Sequence, residues 1–198
     1  MLLSETEKDR VLQRNCLFSL AEMTPADPAF ADRYLDRFTQ LLLDRRVYHS
    51  PYFATRVDVA TALCALNVRE PIVIDIMADY LVDVDRDDVE LLVRQQGWLT
   101  LWTLTGERLD DVPNPGLFDR PPPPFPDRKA ARPYYVTRAR WGITPEQNAA
   151  VAKMAKDLAL MQRARQVYLS SKSRIVERWR DEAVKAEERK RKASQAQK

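Results

Sequence analysis

The chain has 198 residues, 45% of them hydrophobic and 31% charged, with a formal net charge of +3. That apolar share supplies a real core, the charge implies much solvated surface, and no apolar run nears the ~18 residues a transmembrane helix needs. The small total hides a division, because residues 1–112 carry 12 Lys+Arg against 20 Asp+Glu, while residues 113–198 carry 20 against 9. Such an asymmetry implies an anionic partner for the second half that the first half does not share.

The first ten residues, Met1 to Arg10, hold no long apolar core and place Glu5, Glu7 and Asp9 early. They read neither as a signal peptide nor as an Arg-rich, acid-poor transit peptide. Only four glycines occur, three of them between Gly97 and Gly116. The stretch before Gly97 thus lacks the punctuation that hairpins need, which favours helices. The expected fold class is mainly α.

A weak repeat appears at an offset of 46 residues. Ser4, Arg10, Val11, Leu17, Leu20, Pro25, Tyr34 and Leu35 fall on Ser50, Arg56, Val57, Leu63, Leu66, Pro71, Tyr80 and Leu81. The unit reads as helix, proline-containing turn, helix, with helices over residues 5–23 and 28–46 and again over 52–67 and 71–83. A period of this length suits stacked HEAT- or armadillo-like hairpins. Two copies are few for such an array, so further helices must complete the core. The next, over residues 87–104, carries Val89, Leu92, Val93, Leu99 and Trp102, and Gly97 weakens it from within.

The acidic run Asp83, Asp85, Asp87, Asp88 and Glu90 fails as a calcium loop, because Asp88 and Arg94 stand where glycine and glutamate are required. It reads instead as a solvated turn that caps the following helix. Asp75, Asp79 and Asp83 share one helix face at four-residue spacing. Like charges there repel, so the face meets solvent or a basic partner, and the chain's own basic half is one candidate. The single histidine, His49, cannot build a multi-histidine metal site, and Cys16 and Cys64 form no paired motif. Lone thiols of this kind fit an intracellular, reducing compartment.

Seven prolines between Pro113 and Pro126 mark residues 113–143 as an extended arm. The arm separates an acidic body, residues 1–112, from a basic helical segment, residues 144–198. Near its end Arg132, Arg138 and Arg140 alternate with Tyr134, Tyr135 and Trp141. Guanidinium groups bind phosphates bidentately and aromatic faces stack on bases, so this cluster is a candidate nucleic-acid contact. Packing of the aromatics against the body is the competing explanation.

A long helix then starts at Thr144, with Pro145 at its first position and Gln147 completing a capping box. Val151, Met154, Leu158, Met161 and Tyr168 form its apolar seam, which Arg165 and Lys172 interrupt. From about Arg180 the apolar face disappears, and Arg189, Lys190, Arg191 and Lys192 add anion affinity without specificity. No phosphate-cradling glycine loop, nucleophile elbow or HExxH pattern occurs, so no catalytic residue, metal or cofactor is expected.

Three functions follow from this layout. The first is a non-catalytic structural subunit of a large assembly, a ribonucleoprotein such as an organellar ribosome in the mitochondrial matrix. There it would contact other protein subunits and reach RNA through residues 128–198. The second is an accessory subunit of a respiratory or other protein complex. The third is a DNA-handling phage or plasmid adaptor, which the acidic helix at Asp75 and Asp79 disfavours, because a recognition helix needs basic side chains.

Overall fold

In a computed structural model, residues 36–37, 39–50, 53–83, 90–107 and 145–196 are described. These residues are mainly α-helical, with no strand among them. Among the described residues, helical turns at residues 36–37 and 39–42 are followed in order by α1 Arg45–Tyr48, α2 Phe53–Ala65, α3 Pro71–Leu81, α4 Glu90–Thr105, α5 Pro145–Lys156, α6 Leu158–Ser170 and α7 Lys172–Ala196. The first expected hairpin, residues 5–46, lies mostly outside the described residues, and so do the arm of residues 113–143 and Thr144.

Local chemistry explains where the helices begin and end. Asn67 terminates α2 in the left-handed region, at φ 52°. Its amide bonds the Cys64 carbonyl at 3.0 Å, and the Val68 amide bonds that of Leu63 at 3.0 Å. This paired closure satisfies two orphan carbonyls, and both Val68 and Leu63 are buried. Pro71 opens α3 at the position where its missing N–H costs nothing. Seven of the eleven residues of α3 are buried, Val73, Ile74, Ile76, Met77, Ala78, Tyr80 and Leu81, so α3 is a core helix rather than a surface one.

α4 lies at the centre, packed against α2, α3 and α5, while α3 also packs on α6. It is unbroken through Gly97, where the sequence predicts weakness. A Cβ there would stand 2.9 Å from Tyr80 Cβ and 3.3 Å from the Met77 carbonyl oxygen. The glycine is a point of close approach between α4 and α3, and its cost in helix propensity is offset by that packing. The buried Thr100 hydroxyl, on α4, donates to the Ala60 carbonyl at 3.0 Å and fixes α4 against α2.

The segment expected as one long helix from Thr144 is divided into α5, α6 and α7. Asp157 adopts an extended conformation and its carboxylate accepts from the Leu160 amide at 3.0 Å, capping α6. Ser171 closes α6, and α7 follows at Lys172. The two breaks let Val151, Met161, Tyr168, Ile175 and Trp179 all reach the core formed with Leu63, Ile74, Met77 and Leu101. One hydrophobic cluster therefore joins residues on both sides of the proline-rich stretch.

Candidate interface on the C-terminal helix

α7 is rooted in the body by two buried side chains one turn apart, Ile175 and Trp179. The Trp179 indole donates to the Leu104 carbonyl at 3.0 Å. The preceding residue, Arg178, donates to the Thr105 carbonyl and, at 2.9 Å, to the Glu107 carboxylate. Arg174 holds the other oxygen of Glu107 at 2.7 Å. These donors converge on the last carbonyls of α4, where a helix has unsatisfied acceptors and a partial negative charge. Gly106, at φ 61°, turns the chain out of α4 while its amide still bonds the Trp102 carbonyl at 2.8 Å. Tyr168 packs beside this junction, and burial pushes its phenol above the ordinary value.

The acidic face of α3 is matched by the chain's own basic half. Asp79 accepts from Arg165 at 2.9 Å and Asp75 from Lys172 at 2.5 Å. The third acid of that face, Asp83, pairs with Arg56 at 3.1 Å. Repulsion between acids four residues apart is thereby relieved. Arg165 and Lys172, which break the apolar seam in sequence, do so because they face these carboxylates.

Beyond Trp179 the helix changes character. Every residue from Arg180 to Ala196 is exposed, a length of about 25 Å at 1.5 Å per residue. Arg189, Lys190, Arg191 and Lys192 all stand on this stretch, helical and exposed. With Lys185 they make no ion pair with another described residue. Arg132, Tyr134, Tyr135, Arg138, Arg140 and Trp141 lie outside the described residues, so only the terminal cluster of expected contacts has a described position.

A groove of about 670 Å³ separates α7 from the α2–α3 turn, Asn67 to Pro71. Its α7 wall includes Val176, Trp179, Ala183 and Ala186. Arg69 crosses from one wall to the other, donating to Asn67 at 3.1 Å and pairing with Glu182.

Other chemistry-bearing residues occupy structural positions. His49 is the exposed C-cap of α1, its ring centroid 4.7 Å from that of Tyr48. Cys64 is a free, buried thiol, and burial pushes its pKa up to about 12. Among the described residues no group of three or more His, Cys, Asp or Glu side chains could hold a metal ion. No described helix is long and apolar enough to cross a membrane.

The junction of Glu107 with Arg174, Arg178 and Trp179 was not singled out by sequence. Two signals point to it in retrospect. Gly106 marks a helix end, and Arg174 and Arg178 stand at the four-residue spacing that lets two cations address one carboxylate. No family model, curated protein or solved structure matches the chain.

Proposed function

We infer that this chain is a non-catalytic structural subunit of a large ribonucleoprotein, of the organellar-ribosome kind. In this reading the helical body lies at the periphery of the particle and the basic second half, residues 128–198, meets RNA and neighbouring subunits. The supporting observation is the division of cations along the C-terminal helices. Arg165, Lys172, Arg174 and Arg178 are committed to carboxylates of the body, while Arg189 to Lys192 stand exposed on the far end of α7. A rigid helix that presents cations away from an internally neutralised body is suited to phosphate contacts. The free, buried Cys64 fits a reducing compartment such as the mitochondrial matrix.

The same reading takes α2 and α3 as the second of two HEAT- or armadillo-like hairpins, with α4 covering it. The proline-rich arm of residues 113–143 is then an extended tether along a neighbour, with Arg132, Arg138, Arg140 and their aromatic companions at its RNA-facing end.

Gradient sedimentation of the tagged protein from its native cells, with and without ribonuclease, tests the assignment. Migration in a heavy, nuclease-sensitive particle is the expected result. A heavy but nuclease-resistant position would assign the chain to a protein complex instead, and light migration would remove both.

A further inference from the structure

One hydroxyl stands apart from the others. Of the seventeen serines and threonines in the chain, Ser194 alone has a cation three residues before it. Arg191 holds that position and Lys192 the next, with Arg189 and Lys190 directly upstream. At the corresponding place every other hydroxyl residue has a neutral or acidic side chain, such as Asp36 before Thr39 and Asp58 before Thr61.

The fold puts this same residue where an enzyme can reach it. Ser194 lies on the exposed stretch of α7, in the last turn before Ala196. It makes no hydrogen bond with another described residue. The hydroxyls of the body are buried or engaged instead. Thr61 and Thr103 donate to carbonyls one turn back at 2.8 and 2.7 Å, and Thr100 and Thr105 are buried. The final carbonyls of a helix have no amide donors of their own, and no residue after Trp179 is covered by the body. The last turn can therefore open to an extended strand without breaking a tertiary contact.

A protein kinase that selects its substrate by charge takes such a strand, pairing its own carboxylates with the cations ahead of the acceptor. The Ser194 Oγ then bonds the γ-phosphorus of magnesium-bound ATP as the bond to the β,γ-bridging oxygen breaks. ADP leaves, and the hydroxyl proton passes to the aspartate of the kinase.

We propose that Ser194 is the phosphoryl-acceptor site of a basic-directed protein kinase, and that its phosphate withdraws Lys190 and Arg191 from the cation cluster. Those two side chains lie four and three residues before Ser194, one turn back on its own helix face. A phosphoserine brings a charge of about −1.5 to −2 and acceptor oxygens for both. About half of the charge of Arg189 to Lys192 is cancelled. The site itself is independent of the RNA reading, whereas a resulting loss of RNA affinity rests on it.

The test incubates the full chain with γ-labelled ATP, magnesium and a lysate of its native cells under phosphatase inhibition, followed by peptide mapping. Label should fall on Ser194 and vanish in Ser194→Ala. Arg191→Ala should slow its incorporation about tenfold or more. Label found elsewhere, undiminished in Ser194→Ala, or absent altogether would overturn the site. Chain phosphorylated to completion by the purified catalytic subunit of cyclic-AMP-dependent kinase is then compared with unmodified chain for poly(U) binding across a salt series. The modified form should bind about tenfold more weakly, with a salt slope shallower by about 1 to 2. Equal affinity and slope would overturn the withdrawal of Lys190 and Arg191. An unmodified chain that ignores poly(U) would instead remove the RNA reading, and the site would stand or fall on the label.

Discussion

The Trp179 indole nitrogen, on the last helix, sits 3.0 Å from the carbonyl oxygen of Leu104 at the end of α4. It ties the C-terminal helix to the central one and is itself only 5% exposed. Trp179→Phe keeps most of the apolar contact and loses the hydrogen bond, at a cost of about 1 kcal/mol. Trp179→Ala also opens a cavity and should cost about 3–5 kcal/mol. Urea unfolding followed by far-UV dichroism separates the two.

Glu107 and Asp79 form ion pairs of different worth. The Glu107 side chain is 9% exposed, but Arg174 and Arg178, which share it, are 69% and 40% exposed and stay hydrated in Glu107→Gln. The loss is that of charge-assisted hydrogen bonds at a half-screened site, about 1–2 kcal/mol. Asp79 and Arg165 are 49% and 38% exposed, and solvent screening limits Asp79→Asn to less than about 1 kcal/mol. Thermal unfolding of the two variants side by side checks the ranking.

Gly97→Ala sets two effects against each other. Alanine gains about 1 kcal/mol of helix propensity, but its Cβ would stand 2.9 Å from Tyr80 Cβ and 3.3 Å from a backbone oxygen. Neither neighbour is the end of a flexible side chain. Overpacking of this kind costs about 1–3 kcal/mol, so the variant should be less stable than the wild type. A midpoint shifted to higher urea would contradict this account.

Cys64 should be inert to thiol reagents in the folded chain at pH 8. Its thiol, pushed up to about 12 by burial, is both protonated and sealed off. The sign for stability follows. A thiol ionises more readily unfolded than folded, so its contribution is full below its unfolded pKa. That contribution is lost as the pH rises through about 9 toward 12. Peptide mapping after alkylation should find Cys64 labelled only under unfolding conditions.

Neutralising Arg189, Lys190, Arg191 and Lys192 together should change stability by less than about 0.5 kcal/mol, since all four are exposed. The same variant should bind RNA more weakly and with a shallower salt dependence. A second variant lacking Arg132, Arg138 and Arg140 tests the arm. Filter binding across a salt series measures both slopes.

Much of the helical layout is legible in the residues. Pro71 and Pro145 each open a helix because a first-turn proline forfeits no hydrogen bond. Of the expected seam, Val151, Met154, Met161 and Tyr168 are buried, while Leu158 is only half-buried because the helix breaks at Asp157 and Leu160 enters the core instead. Gly97 shows the limit of such reading. Its meaning lies in Tyr80, a neighbour distant in sequence, and propensity reports only the cost. Asp157 is a second case. A helix-stopping cap looks like an ordinary surface acid until the two flanking segments must face one core. Of the candidate site, Arg189 to Lys192 fall on an exposed helix, while the Glu107 junction needs α4 and α7 to meet before it exists.

The sharing of one core by the two ends of the chain has a consequence for how it is made. During synthesis the acidic portion leaves the ribosome first, with Asp75 and Asp79 uncompensated and the apolar side of α3 uncovered. Tyr168, Ile175 and Trp179, which close that side, emerge only after the acidic portion and the proline-rich stretch. A fragment stopped at residue 112 should therefore be loosely packed and lack a cooperative thermal transition. The nascent body must wait, solvated and incomplete, for its last helices, and any factor that shields hydrophobic surface has that interval in which to act.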